Sequence, residues 1–121
     1  METSSPGKVY DLEERTFVFA KRVRAFVKML PKSIANLEDI KQLVRSSGSV
    51  GANYIEANEA LSKKDFVMRI KISRKESKET RYWLRLLDTN DAAELDSERD
   101  ALIQESTELM KILGAILQKS L

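Results

Sequence analysis

Apolar and small residues recur along this chain in steps of four and three, the spacing that brings side chains onto one face of a helix. Leu12, Thr16, Phe19, Val23, Phe26 and Leu30 form the first run and predict a helix over about 12–30. Asp11 is its candidate N-cap, with Glu13 and Glu14 in the first turn, where the helix dipole favours negative charge. Pro31 closes it, because proline cannot donate a backbone bond and disfavours helical geometry in the residue before it. After a connection at 33–38, Leu37, Ile40, Leu43, Ser47, Val50, Tyr54 and Ala57 predict a second helix over about 39–61. Ser62, with Asp65 three residues on, caps a third over 63–88, whose inner stripe is Phe66, Ile70, Ser73, Ser77, Thr80, Leu84 and Leu87. A fourth helix over 96–119 opens at Asp96 or Ser97 and repeats Leu95, Arg99, Leu102, Ser106, Leu109, Leu113, Ile116 and Ser120. Ile103, Met110 and Leu117 add a second stripe, which serves either a wide core or a contact with another chain.

No strand-like alternation or hairpin turn interrupts these runs. Four helices with short connections predict an all-α, antiparallel up-down-up-down four-helix bundle over residues 11–121. The polar segment 1–10, with Pro6-Gly7, is expected to be a flexible N-terminal arm.

The middle of the second helix is unusual. Ser46, Ser47, Gly48, Ser49, Gly51 and Ala52 fill it, and each interior glycine costs a helix about 1 kcal/mol against alanine. A compensating contact is expected, namely a neighbouring backbone drawn close by the small side chains. A phosphate-loop reading fails, because SSGSVGAN lacks both the preceding strand and the Gly-Lys-Ser/Thr ending. Beside the small residues runs a polar row of Gln42, Arg45, Ser49, Asn53 and Glu56. Spacing alone leaves open whether that row is solvated or hydrogen-bonded between helices.

On the third helix Lys64, Lys71, Arg74, Lys75, Lys78, Arg81 and Arg85 fall within about a third of a turn, opposite the inner stripe. Glu76 and Glu79 lie off this arc, near Ile72 and Trp83. Paired carboxylates raise the question of acid–base or metal chemistry. With no histidine as a further ligand and cations at every neighbouring turn, ion pairing is the cheaper explanation. Tyr82, between Arg81 and Arg85, is either an aromatic that stacks on a base or a rim residue with its hydroxyl in water, the latter being the simpler reading.

Charge is segregated along the chain. Residues 11–32 carry six basic and three acidic side chains, 33–60 two and four, 61–88 nine and four, and 89–121 three and seven, under a net charge of +2. In an antiparallel bundle this alternation sets opposite fields beside each other, so internal balance competes with a nucleic-acid surface as its explanation. Composition narrows the chemistry further. The chain of 121 residues has no cysteine and no histidine, which removes thiol nucleophiles, thiolate and imidazole metal ligands, and the commonest general base. No run approaches the length of a membrane span and METSSPGK has no apolar signal core, so the expected location is cytoplasmic.

The block SGSVGANYIEANEALSKKDFVMRIKISRKESKETRYWLRLL resembles the four-helix-bundle proteins encoded by intervening sequences in bacterial 23S ribosomal RNA genes (the S23-like family). The likeness rests on Ser49, Gly51, Ala52, Asn53, Tyr54, Glu56 and Ala57, on Ser62, Asp65 and Phe66, and on Lys75, Glu76, Glu79, Trp83, Leu84 and Leu87. Ala57 stands where the commoner form of the motif has glycine. A more distant likeness of fold and charge is to the accessory variability determinant of diversity-generating retroelements, a positively charged pentameric barrel that binds nucleic acid. The resemblance implies an assembly into a ring-shaped homopentamer and does not imply an enzyme; no catalytic residue, cofactor or metal is expected, and the motif residues are expected to be structural.

Two functional readings follow. In the first, the arc of the third helix, with Lys21, Arg22, Arg24 and Lys28 of the first, binds RNA or DNA phosphates in an oligomeric scaffold. In the second, the same stripe docks on acidic helices of sister subunits or of another protein. Neither reading involves a membrane or a small-molecule substrate.

Overall fold

The computed structural model describes residues 11–121, and the arm expected at 1–10 lies outside them. Four helices follow one another: α1 (Leu12–Val27), α2 (Ile34–Asn58), α3 (Lys63–Leu86) and α4 (Ala93–Lys119). Each packs on its neighbours in sequence and α1 also packs on α4, while α1 and α3 stand across the bundle from one another. The chain is an antiparallel four-helix bundle, and the described residues hold no strand.

The core is assembled from the predicted stripes. Phe19, Val23, Leu43, Val50, Ile70, Leu84, Leu102, Leu109 and Leu113 are almost completely buried. Hydroxyls are buried with them: Thr16, Ser46, Ser47, Ser73, Ser77, Thr80 and Ser106. Most return a hydrogen bond to their own helix, as Thr16 Oγ1 does to the Leu12 carbonyl at 2.7 Å and Ser77 Oγ to the Arg74 carbonyl at 2.8 Å. Two reach across. Ser73 Oγ on α3 donates to the Val50 carbonyl of α2 at 2.7 Å, and Thr80 Oγ1 lies 3.0 Å from Ser46 Oγ. The α2–α3 interface is the most extensive in the molecule, consistent with short side chains allowing close approach. Gly51 serves the other neighbour, since a Cβ there would lie 2.8 Å from Thr16 Oγ1 and 3.2 Å from Thr16 Cβ on α1.

Several boundaries differ from the sequence expectation. α1 stops at Val27 rather than Leu30; Lys32 Nζ folds back to the carbonyls of Val27 at 3.0 Å and Leu30 at 2.7 Å, and the main chain turns before Pro31. α2 begins at Ile34 rather than Asp39, because Ser33 is its N-cap, accepting from the Asn36 amide at 3.1 Å. Leu37, read as inward, is exposed, and Asn36 takes the buried place. The Asn36 amide donates to the carbonyls of Pro31 and Asp88, and its oxygen accepts from the Asp88 amide at 2.9 Å. That one side chain ties the α1–α2 loop to the α3–α4 loop. α2 ends at Asn58 and α3 at Leu86, each short of the expected end. α4 starts at Ala93 with no side-chain cap, after a tight turn in which Asn90 (φ 55°) and Asp91 (φ 58°) adopt left-handed backbone. Asp96, expected at the start, lies inside the first turn, where it accepts from the Thr89 hydroxyl and from Arg99.

The close contact at Gly51 sets a test. Gly51→Ala is expected to lower stability by about 1–3 kcal/mol through overpacking. Thr16→Ala in the same chain removes the nearest atom and should recover part of that loss. Urea unfolding of both single variants and the double variant measures the coupling, and strict additivity would place the clash elsewhere.

Candidate nucleic-acid interface

The rotation of α3 about its axis decides which side chains meet solvent. Ser73, Ser77, Thr80 and Leu84 point inward and are fully buried. Lys64, Lys71, Arg74, Lys75, Lys78 and Arg85, on the opposite side, are exposed. Arg81, at the edge of the arc, is half-buried and donates to Thr107 Oγ1 of α4 at 3.3 Å. None of the seven forms an ion pair among the described residues. Lys71, Arg74, Lys75 and Lys78 line a shallow groove against Met110 and Leu117 of α4, so the second stripe of α4 lies beside the cations as well as the core.

The cations of α1 behave differently. Arg15 makes a forked contact with Glu105 at 2.7 and 2.9 Å and also reaches Glu108 at 2.9 Å. Arg22 approaches Glu98 at 3.4 Å. Arg15 and Arg22 are thus answered by acids of α4, while Lys21, Arg24 and Lys28 form no ion pair among the described residues. The hydrogen bonds to Glu105, above all, hold the Arg15 proton more tightly than usual. Glu108 is pushed below its ordinary value by the Gln104 amide first and Arg15 second. Lys21 sits over the Phe17 ring, and Lys21 and Arg24 line the α1–α2 side of the bundle. Lys28 is exposed near the C-terminal end of α1. Within one chain, therefore, the α1 and α3 cations do not merge into one surface; they stand on opposite sides. The diagonal placement of the two helices separates them, so the continuous electropositive surface expected from the sequence is one that only repetition around a ring would build.

The α2–α3 face holds most of the motif residues. Glu76 is buried and accepts from Arg45 of α2 at 3.4 Å, and the more open Glu79 accepts from the same guanidinium at 3.5 Å. Arg69 donates to Asn53 Oδ1 at 3.1 Å, and Asn53 donates to the Ser49 carbonyl at 3.0 Å. The polar row is therefore partly a seam between helices, with Glu56 left exposed at its end. Asp65 donates its backbone amide to the Ser62 Oγ cap at 3.1 Å, and Phe66 and Trp83 pack half-buried on the core. No three acidic side chains among the described residues converge to hold a metal ion, and Glu76 and Glu79 share one arginine rather than a cleft. None of the described helices is long and apolar enough to cross a membrane.

Sequence reasoning missed one apolar surface. Phe17, Ala52 and Ile55 are exposed around a groove of about 330 Å³ between α1 and α2, floored by Gly48 and Gly51. Phe17 and Ile55 lie off the inner stripes, and that displacement was the available signal.

Residues 9–115 match the family model of the 23S rRNA-intervening sequence protein. The chain belongs to that family. Among solved structures, this 23S rRNA-intervening sequence protein family member is similar to a protein with unknown function from the S23 ribosomal protein family of Bacteroides thetaiotaomicron VPI-5482. The two are 32% identical with a TM-score of 0.73, over 88% of this chain and 95% of that one. No curated protein matches the chain.

The contact at Glu108 carries a pH dependence. Its value is lowered on folding, so its contribution is complete above the ordinary carboxylate value of 4.5 and is lost as pH falls through the lower folded value. Glu108→Gln should therefore be slightly less stable than the parent chain at neutral pH, and the gap should shrink at an acidic pH below the ordinary carboxylate value of 4.5. Chemical unfolding at the two pH values checks this; a gap that widens in acid would reverse the sign.

Proposed function

We propose that this chain is a non-enzymatic, self-associating helical scaffold that binds nucleic acid, RNA in particular, through the basic face of α3. The single observation carrying the reading is the contrast between the two basic helices. Arg15 and Arg22 of α1 are matched by acids of α4, though Lys21, Arg24 and Lys28 are not, whereas no cation of the α3 arc stands in an ion pair among the described residues and all but Arg81 are solvent-facing. An internal-balance explanation would consume both. On α3 the one interhelical ion-pair system runs the other way, from Arg45 of α2 to Glu76 and Glu79, so acid rather than base is drawn inward. Repetition of this face in a ring, the homopentamer implied by the family resemblance, would multiply the field. Contacts of lysine and arginine to phosphates are salt-sensitive and weakly sequence-specific.

A second reading, a protein-interaction module without nucleic acid, is favoured by the apolar groove of Phe17, Ala52 and Ile55. It is reconciled with the first if that groove serves self-association.

Retention on immobilised RNA is expected to fall steeply between ~50 and ~200 mM salt. It should be lost in the Lys71→Glu/Lys75→Glu/Lys78→Glu variant while helicity stays unchanged. If that variant keeps its RNA binding, the α3 face is the wrong surface. A solution mass well above the 13.8 kDa of one chain is expected, and Phe17→Glu/Ile55→Glu should lower it; a parent mass of one chain would exclude the ring.

A further inference from the structure

The basic face of α3 is not uniformly charged. Toward its C-terminal end it carries Tyr82, 55% exposed, and Leu86, 49% exposed, one turn further on. Lys78 precedes Tyr82 by one turn and Arg85 follows it by three residues, so all four share one side of the helix. Tyr82 is held in place. Its ring meets that of Trp83 edge to face, with centroids 5.0 Å apart and planes at 76°. Trp83 packs against the core with its indole nitrogen end buried, so it is a fixed support. A tyrosine with its hydroxyl merely reaching water needs no such support.

We infer that Tyr82, flanked by Lys78 and Arg85 and braced by Trp83, is a base-stacking platform, and that the α3 face selects single-stranded over double-stranded nucleic acid. The inference rests on the proposed function and names its substrate class. An aromatic face is useful only to a base whose own face is free, which a duplex withholds inside its stack. The cations supply what either form needs, since both carry phosphates. From Lys64 to Arg85 the arc runs about 32 Å at ~1.5 Å per residue, a length that accommodates several nucleotides of an extended strand. Leu86 continues the apolar surface, so the sugar or the next base meets carbon rather than charge. The ordering cost of the stack is small, because Trp83 has already set the ring.

The test uses the full chain, a 12-nucleotide oligouridine and a 12-base-pair RNA duplex, with binding followed by fluorescence anisotropy at one fixed salt concentration. Tyr82→Ala should weaken binding of the single strand about tenfold, as expected for loss of one stacked base, and leave duplex binding within about twofold. Tyr82→Phe should restore single-strand binding, because the ring and not the hydroxyl acts. Single-strand binding should also change the emission of the chain's one tryptophan, Trp83, through its neighbour, and duplex binding should not. If Tyr82→Ala weakens both probes equally, or neither, the platform is overturned while the basic face stands, provided the Lys71/Lys75/Lys78 variant still loses both. If the parent chain binds neither probe, the platform and the proposed function fall together.

Discussion

α3 cannot turn about its own axis, and most of the molecular surface follows from that. Close packing of the leucine stripes resists rotation, and a buried hydroxyl parted from its acceptor adds a further cost of about 1–3 kcal/mol. Ser73 is bonded to the Val50 carbonyl and Thr80 to Ser46, all three side chains being fully buried in the α2–α3 interface. The second of those bonds exists because α2 offers Ser46 at a buried position where most helices would place a larger apolar residue. With Ser73, Ser77 and Thr80 held inward, the lysines and arginines half a turn away have nowhere to go but solvent.

Charge then sorts by geometry rather than by total. The acids of α4 lie where α1 can reach them, and the forked Arg15–Glu105 contact is the strongest of the ion pairs by distance. α3 packs on α4 more extensively than α1 does, yet its long cations leave the helix on the outer side and pass over Met110 and Leu117 without meeting an acid. Partial exposure limits what any of these pairs contributes to stability. Their consequence is electrostatic instead: Arg15 and Arg22 are answered by acids of α4, and the cations of the α3 arc are not in ion pairs among the described residues.

Much of this was legible in the sequence. The four-three steps placed every helix, the phase of α3 separated hydroxyls from cations, and the small residues of α2 announced a close approach that Gly51 and Thr16 make. Two things were not legible. Asn36 looks like an ordinary surface residue, and its burial depends on the Asp88 loop, 52 positions later, arriving beside it. The start of α4 was hidden because Ala93 has no capping side chain, while Asp96, which resembles a cap, is engaged by Thr89 and Arg99. The separation of the α1 and α3 cations belongs to a different class. In an up-down bundle of four, the first and third helices are diagonal by construction, so the topology already excluded a single shared face within one chain.

The same diagonal keeps the two uncommitted surfaces apart. The apolar groove of Phe17 and Ile55 lies between α1 and α2, and the cationic groove between α3 and α4. A copy of the chain seated on the first would bury carbon and leave the lysines of α3 in water. A polyanion lying along the second would not reach Phe17. On the proposed reading, assembly through the first groove and ligand binding along the second would draw on different side chains of the bundle. A bundle of this size can combine both without a cleft, a metal or a catalytic group, because each task needs only one face of a helix pair.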